Sequence, residues 1–280
     1  MSRAIPKGIL WALAAAMLAT ASAAYAQDFK PYVGQQGKDV VWVPTPDEVV
    51  ERMLNMAQTK PEDFVIDLGA GDGKIAIAAA KKFGARSLGI EYNPEMVAHA
   101  QGNAKAAGVL GKAQIVHGDI FVSDFTQATV LTMYLLPSIN MKLRPQILAL
   151  RPGTRVVAHA FNMEDWEPDE TSDVDGRRVY LWIVPAQVAG RWAMEISGGG
   201  AEKASLSLDQ RFQKIEGTAH LGPVLAGLRE PRLSGSRISF AYVDNKGVRR
   251  DFTGRVTGSR MEGSFRTDNG AEGRWTATKK

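Results

Sequence analysis

Residues 64–80 read Phe64-Val65-Ile66-Asp67-Leu68-Gly69-Ala70-Gly71-Asp72-Gly73-Lys74-Ile75-Ala76-Ile77-Ala78-Ala79-Ala80, and this stretch decides the fold. A short apolar run leads into a turn with three glycines, and an alanine-rich run of helical character follows. Because glycine carries no side chain, the backbone of such a turn approaches a ligand closely, beside the free N–H groups of the helix start. The stretch therefore predicts a strand, a ligand-binding glycine turn and a helix.

The next apolar run ends in an acid. It reads Ser87-Leu88-Gly89-Ile90-Glu91, and the carboxyl end of such a strand is where a parallel α/β sheet binds a nucleoside ribose. Strand-like runs then alternate with helical runs as far as residue 184. This alternation predicts an α/β fold with a Rossmann-like, doubly wound parallel sheet over residues 44–185.

The spacing of the glycines separates this turn from other nucleotide-binding turns. They run G-x-G-x-G from Gly69 to Gly73, whereas dinucleotide sites have G-x-G-x-x-G, and Ile75 stands where a Walker loop has serine or threonine. Asp67 and Asp72 flank the turn and would repel a pyrophosphate. S-adenosyl-L-methionine (SAM) has no phosphate, and its ammonium suits these acids. We interpret the turn as a SAM site; the alternative is a structural glycine turn.

The chain resembles the class I SAM-dependent methyltransferases in four elements that occur in the right order. The glycine turn looks like their first motif, and Glu91 looks like the acid that binds the ribose hydroxyls. His117-Gly118-Asp119-Ile120 looks like the motif at the adenine edge, with Asp119 accepting from the adenine amino group, and residues 130–134 look like the fourth strand. The resemblance implies SAM as cofactor. The implied cofactor-binding residues are Asp67, Gly69, Ala70, Gly71, Asp72, Gly73, Glu91, Asp119, Ile120 and Thr45.

Three further stretches are similar to the small lysine methyltransferases of mitochondria that modify the c subunit of ATP synthase and the adenine nucleotide translocase, and to their bacterial relatives. They are Val43-Pro44-Thr45-Pro46-Asp47, Tyr134-Leu135-Leu136-Pro137 and Trp166-Glu167-Pro168. This resemblance covers roughly residues 40–185 and implies transfer of a methyl group to a protein lysine. Two alternatives stay open: a small-molecule methyltransferase, and a non-catalytic exported SAM-binding module whose β domain binds a partner.

Methyl transfer depends on positioning the two reactants and excluding water, so no catalytic triad is expected. Tyr134, at the end of strand 4, is the candidate residue of the acceptor pocket, because an aromatic ring attracts a sulfonium or an amine; the alternative is a core aromatic. Trp166 is expected either to wall this pocket or to pack under a loop. Thr45 is expected to bond the SAM carboxylate, and either Thr45 or Asp47 is expected to cap the next helix. Asp72 is expected to contact SAM or to cap its own helix.

An acidic run follows strand 5. It contains Glu164, Asp165, Glu167, Asp169 and Glu170. The functional interpretation is attraction of a basic substrate, and the alternative is a solvated loop.

After Pro185 the helical periodicity disappears, and short strand-like runs alternate with glycine turns. This pattern predicts an antiparallel all-β domain, a barrel or a sandwich, over residues 186–280. Gly190-Arg191-Trp192 and Gly273-Arg274-Trp275 lie near its two ends and are expected to meet. The segment has 16 lysines and arginines against 10 acids, an excess of six positive charges. Substrate docking, cell-wall contact, self-association and simple stabilisation are its open interpretations.

Composition excludes several kinds of site. The absence of cysteine from the sequence excludes disulfides and thiolate metal sites, and the four histidines are not at metal-ligand spacing, so no metal is expected. The formal net charge is +4 over 280 residues. We find no dense lysine or arginine run, so no nucleic-acid partner is expected.

The first 26 residues have the pattern of a signal peptide. Arg3 and Lys7 precede an apolar run over residues 8–20, and Ala24-Tyr25-Ala26 offers small residues for cleavage before Gln27. The run is short for a membrane span, so export to the periplasm is expected; an uncleaved membrane anchor and a mitochondrial presequence are alternatives. Export conflicts with the cytosolic synthesis of SAM. Either SAM reaches the compartment, or a related ligand binds there. Residues 27–43 are expected to be a polar connector.

Overall fold

The computed structural model describes residues 29–198 and 201–280. The predicted signal peptide lies outside the described residues. Residues Tyr32–Lys280 form one compact unit, which contains two β-sheets. A helix with the length and apolar character needed to cross a membrane does not occur in the part of the chain that the structure describes.

The first sheet is the predicted doubly wound sheet. Its strands are β1 Phe64–Leu68, β2 Arg86–Glu91, β3 Ala113–His117, β4 Val130–Met133, β5 Arg155–His159, β6 Glu170–Val174 and β7 Arg177–Ile183. The helices are α1 Asp47–Met56, α2 Lys74–Phe83, α3 Pro94–Ala106 and α4 Pro137–Leu148. The strand order is β3-β2-β1-β4-β5-β7-β6. Strands β1 to β5 are parallel, and β7 runs antiparallel to β5.

The strand order places a topological switch beside β1. The chain builds β1, β2 and β3 in one direction and then returns to place β4 on the other side of β1. In open α/β sheets the connections diverge at such a point and leave a crevice at the carboxyl ends of the strands. The glycine turn, which follows β1, lies in this crevice.

The start of α3 agrees with its sequence pattern, and the start of α1 does not. The Asn93 side chain accepts from the N–H groups of Glu95 and Met96, with Pro94 in the first turn. We expected Thr45 or Asp47 to cap α1. Its N-cap position is Pro46, and among the described residues none provides a side-chain cap there. The capping prediction for α1 is therefore wrong.

The second sheet is antiparallel and nearly closed. Its strands are β8 Gly190–Ser197, β9 Ala201–Arg211, β10 Lys214–Leu221, β11 Val224–Gly227, β12 Arg229–Ser234, β13 Arg237–Val243, β14 Arg249–Thr257, β15 Arg260–Thr267 and β16 Glu272–Lys279. Strand β8 pairs with β16, with Ile196 opposite Trp275, so the expected meeting of first and last strands is confirmed. The sheet edges are β11 and β12. Strand β10 contacts β12 and β11 contacts β13, so the two edges come close together and the sheet forms a nearly closed barrel rather than a sandwich.

Aromatic side chains fill the barrel. Phe252 stacks on Phe240 with centroids 5.0 Å apart, and Trp275 meets both rings edge-on at 5.5 and 5.9 Å. A Cβ on Gly254 would lie 2.7 Å from Cζ2 of Trp275, so this position of β14 leaves the room that the indole occupies. The buried aromatic area stabilises the barrel independently of the first sheet's core.

A turn of the barrel packs on the first sheet. Phe212, between β9 and β10, stacks on Trp166 with centroids 5.7 Å apart, and Trp166 Nε1 donates to Gln213 Oε1 at 3.0 Å. Lys214 forms an ion pair with Glu167 at 2.6 Å, and Arg211 pairs with Asp165 at 3.1 Å. The segment after β5 therefore serves as the docking face for the barrel.

Candidate active site at the carboxyl ends of the parallel strands

A cleft of about 290 Å³ opens at the carboxyl ends of β1, β2 and β4. The glycine turn lines one end of it. The N–H groups of Gly69 and Ala70 donate to the carbonyl oxygen of Ile90 at 2.9 and 3.0 Å, which ties the turn to the end of β2. This link is why the first motif and the acid of the second strand meet in one site.

The three glycines of the turn have backbone angles that other residues rarely adopt. Their φ values are +74° at Gly69, +54° at Gly71 and +78° at Gly73. Space is also short: a Cβ on Gly71 would lie 2.5 Å from Nε1 of Trp42, and a Cβ on Gly73 would lie 3.1 Å from Cβ of Ala100. The pattern that identified the turn thus reflects both conformation and close packing.

Asp67 lies buried at the end of β1. Thr132 Oγ1 donates to its Oδ1 at 2.7 Å. Burial is the main cause that raises the pKa of Asp67 to about 7; the hydrogen bond from Thr132 opposes the shift, and the nearby carboxylates of Asp72 and Glu91 add to it. A cation placed beside these three acids would favour their charged forms. The site is therefore suited to an ammonium or a sulfonium group.

Glu91 is held in place by backbone N–H groups on both sides. Its Oε2 accepts from Gly71 at 2.9 Å, and its Oε1 accepts from Asn93 at 2.8 Å. A carboxylate oxygen accepts more than one hydrogen bond, so both oxygens keep capacity for a ligand hydroxyl. Asp72 accepts from the N–H of Lys74, the first residue of α2, at 3.2 Å, whereas the N-cap position of this helix is Gly73.

The adenine-edge motif lines the other end of the cleft. Asp119 Oδ1 accepts from the Phe121 N–H at 3.0 Å, and its Oδ2 pairs with Lys38 Nζ at 2.6 Å. The hydrogen bond from Lys38 holds the pKa of Asp119 below its usual range. Half-buried Ile120 also lines the cleft. The motif thus offers an ionised acceptor and an apolar surface at one end of the site.

An aromatic cluster lies at the end of β4 and β5. Tyr134 lines the cleft, with its ring centroid 4.0 Å from that of His159 and 6.2 Å from that of Phe161. Thr45 Oγ1 lies 3.2 Å from His159 Nδ1, within hydrogen-bond distance. Burial lowers the pKa of His159 to about 4, with a smaller effect from Arg177, so the imidazole is neutral at neutral pH. Tyr134 therefore forms part of the cleft wall.

Sequence reasoning missed His159 and Phe161. The side chain of His159 is buried against Tyr134 and Thr45 of the cleft, a place that the sequence analysis did not assign to it. Its place at the end of β5, in line with Tyr134 at the end of β4, was the available signal. Parallel strands bring their carboxyl ends to one edge, so residues at those positions meet.

Residues 34–42, predicted as part of a connector, form a hairpin beside the cleft. The N–H of Gly34 donates to Trp42 O at 2.8 Å, and the N–H of Trp42 donates to Gln35 O at 2.9 Å. The turn is closed by a bond from Gly37 N–H to Val40 O at 3.1 Å. We call residues 34–42 the N-terminal hairpin; nearly all of them line the cleft.

Trp166 and the acidic run do not line the cleft. Trp166 is fully buried against Trp182 and Phe212, so packing under a loop, not the pocket wall, is its role. Asp165 pairs with Arg144 and Arg211, and Glu167 pairs with Lys214. These two acids contact other parts of the chain, so the solvated-loop interpretation holds only for part of the run. Glu170 begins β6 and pairs with Arg52.

The residues of the cleft fit SAM. The turn brings bare backbone to the ligand, a nearby cation would favour the charged form of the buried Asp67, and Glu91 presents two fixed oxygens. Asp119 lies at the opposite end. SAM has matching groups along its length: an ammonium and sulfonium, ribose hydroxyls and an adenine amino group.

Comparisons with known proteins agree with this geometry. The sequence profile of the ANTKMT methyltransferase domain matches residues 67–170. A protein-lysine N-methyltransferase of Saccharolobus islandicus is 44% identical over 151 residues, which are 52% of this chain and 94% of that protein. The adenine nucleotide translocase lysine N-methyltransferase of Mus musculus is 27% identical over 176 residues, which are 62% of this chain and 67% of that protein.

A solved structure shows the same fold with a ligand. An RNA methyltransferase from Salinibacter ruber, in complex with S-adenosyl-L-homocysteine, has a TM-score of 0.51 and 50% sequence identity. The similarity covers 52% of this chain and 96% of that one. These relatives are all named as methyltransferases, and the match to the family profile begins at Asp67 and includes the glycine turn. The chain therefore belongs to the class I SAM-dependent methyltransferases, and its residues 67–170 match the ANTKMT methyltransferase domain.

Proposed function

We propose that the enzyme transfers the methyl group of SAM to the side-chain amine of a protein lysine. The observation that carries this proposal is the cluster of Tyr134, Phe161 and neutral His159 at the end of the cleft next to the glycine turn. A lysine must be uncharged to act as a nucleophile, and an aromatic environment without a fixed counterion lowers its pKa by desolvation. The lysine methyltransferases among the relatives support the same assignment.

The reaction is a displacement at carbon. When bound, SAM supplies an activated methyl group. In this proposal the lysine ammonium would first lose a proton to water. Its nitrogen would then form a bond to the methyl carbon as the carbon–sulfur bond breaks, with S-adenosyl-L-homocysteine as the leaving group. The protein orients the amine along this line and excludes water. Tyr134 and Phe161 form the wall against which the aliphatic part of the lysine packs in this proposal.

The proposal is tested with trideuteromethyl SAM and an RNase-treated bacterial lysate. Acid hydrolysis and mass spectrometry are expected to find labelled methyllysine. The matched control is the same lysate with its lysines dimethylated chemically, which should take up far less label; a second arm offers purified total RNA. Equal labelling of both protein samples, or label in RNA alone, would contradict lysine transfer. The RNA arm addresses the name of the Salinibacter ruber relative.

We also propose that residues 44–185 are the methyltransferase domain, that residues 186–280 are a separate β domain, and that residues 1–26 direct export. The change from helical to strand-like periodicity after Pro185 supports the boundary, and each of the two sheets has its own hydrophobic core. The basic n-region and the Ala24-Tyr25-Ala26 site support export.

A further inference from the structure

The N-terminal hairpin touches both ends of the cofactor cleft. At one end, Lys38 Nζ pairs with Asp119 Oδ2 at 2.6 Å. At the other, the indole of Trp42 packs on the glycine turn, so closely that a Cβ on Gly71 would meet its Nε1 at 2.5 Å. The hairpin therefore spans the cleft from the glycine turn to the adenine-edge motif.

Lys38 has more than one contact across the cleft. Its Nζ lies 4.7 Å from the ring centroid of Tyr92, which follows Glu91, and 5.7 Å from that of Phe121. An exposed ion pair alone contributes little, but a cation over two rings adds to it. The hydrogen bond to Asp119 also raises the pKa of Lys38, so the ammonium is charged at any physiological pH. These contacts hold the tip of the hairpin against the first sheet.

The base of the hairpin is also fixed. Gln35 is buried, its side-chain oxygen accepts from the Tyr32 N–H at 3.1 Å, and its carbonyl accepts from the Trp42 N–H. The segment is thus a formed element with its own hydrogen bonds. Such an element moves as a unit about its ends when the contact at its tip breaks.

We propose that the N-terminal hairpin is a lid over the cofactor, latched by the Lys38–Asp119 pair, and that this latch sets the rates at which SAM enters and S-adenosyl-L-homocysteine leaves. A ligand that reaches from Gly71 to Asp119 lies beneath the hairpin, so it passes only when the latch opens. Breaking the latch increases the rates of association and dissociation together and changes affinity much less. A residue that only contacts the ligand would change dissociation alone.

The test is the kinetics of S-adenosyl-L-homocysteine binding, measured by stopped-flow tryptophan fluorescence over a range of ligand concentrations. For Lys38→Met we expect both rate constants to rise about five- to tenfold, with the Kd within about threefold of wild type. Lys38→Arg keeps the cation and should restore most of the slow kinetics. Lys81→Met, which removes an exposed lysine of α2 outside the cleft, is the matched control.

Two further readouts keep the test specific. Added salt should accelerate dissociation from wild type but hardly from Lys38→Met, because only wild type has the ion pair to screen. Hydrogen exchange at the amides of Gly34, Gly37 and Trp42 should be faster in Lys38→Met. Rate constants of Lys38→Met within twofold of wild type, or faster dissociation with unchanged association, would contradict the proposal that the hairpin is a lid. The experiment uses no methyl acceptor, so its outcome does not depend on whether the substrate is a protein lysine.

Discussion

At the scale of single residues, the cofactor site depends on a position that has no room for a side chain and on an acid whose charged form is disfavoured by burial. Gly71 combines a φ of +54° with a neighbour at 2.5 Å, and Asp67 combines full burial with two acidic neighbours. Both features cost stability in the free protein. Such local conflicts are typical of functional sites, where ligand binding selects residues that folding alone would not.

Gly71→Arg tests the turn. The substitution places a long side chain in the cleft at a positive φ, so we expect SAM binding to be lost in calorimetric titration while the barrel still folds, as seen in far-UV circular dichroism. Gly111→Arg is the control, because among the described atoms none lies within 4 Å of a Cβ at that position. Normal SAM affinity in Gly71→Arg would remove the turn from the site.

Asp67→Asn tests the buried acid through pH. The folded-state pKa of about 7 is above the ordinary value of 3.8, so the native state binds the proton more tightly than the unfolded state. The protonated carboxyl of Asp67 contributes its full stabilisation of the folded state below about pH 4, and this contribution is lost as the pH rises through about 7. We therefore expect the free energy of unfolding of Asp67→Asn, relative to wild type and measured with urea, to be higher at pH 8 than at pH 4. The variant should nevertheless bind SAM more weakly. A stability difference independent of pH would contradict this.

At the scale of elements, long-range packing decided what local patterns did not. Strand β2 contains the predicted run from Ser87 to Glu91, an apolar stretch that ends in an acid. Strand β6 was missed: its sequence, Glu170-Thr171-Ser172-Asp173-Val174, is polar and reads as a loop. It forms a strand because its backbone pairs with β7 at the edge of the sheet, and edge strands tolerate polar side chains.

Phe212→Ala tests the turn that docks the barrel on the first sheet. The ring stacks on Trp166 and lies under the guanidinium of Arg144, so its loss should lower the free energy of unfolding by about 1–3 kcal/mol, less than for a fully buried ring. Chemical denaturation measures this value. Leu225→Ala, at a largely exposed apolar side chain of β11, should change it by less than about 0.5 kcal/mol. Equal effects would mean that the turn is not a docking element.

At the scale of the whole molecule, charge is divided unevenly along the chain. Residues 186–280 have an excess of six positive charges, and the chain has +4, so residues 1–185 have a net charge of −2. Part of the basic surface meets the acids of the first sheet through Arg211 and Lys214. Arg249 and Arg250 pair with acids of the barrel itself, whereas other basic side chains of the barrel, such as Arg191 and Arg229, are exposed. The uneven charge favours an orientation of the enzyme towards anionic partners at low ionic strength.

Export is tested on the full chain expressed in bacteria with a C-terminal tag. We expect the tagged protein in the periplasmic fraction, with Gln27 as its first residue by mass spectrometry. Lys7→Glu, which brings the net side-chain charge of the n-region from +2 to 0, should slow this processing, whereas Lys30→Glu, beyond the cleavage site, should leave it unchanged. An intact N-terminus in the membrane fraction would support the anchor alternative, and an intact N-terminus in the cytoplasm would contradict both.

The sequence by itself determined the fold class, the cofactor and the position of the first and second motifs, because glycine conformation, strand alternation and an acid at a strand end are local properties. Only the tertiary structure decided which residues share the cleft with them. Lys38 meets Asp119 across 81 residues, and Thr45 meets His159 across 114. Such pairs leave no periodic pattern, since their proximity arises from the sheet order and from the return of the N-terminal hairpin over the carboxyl ends of the strands.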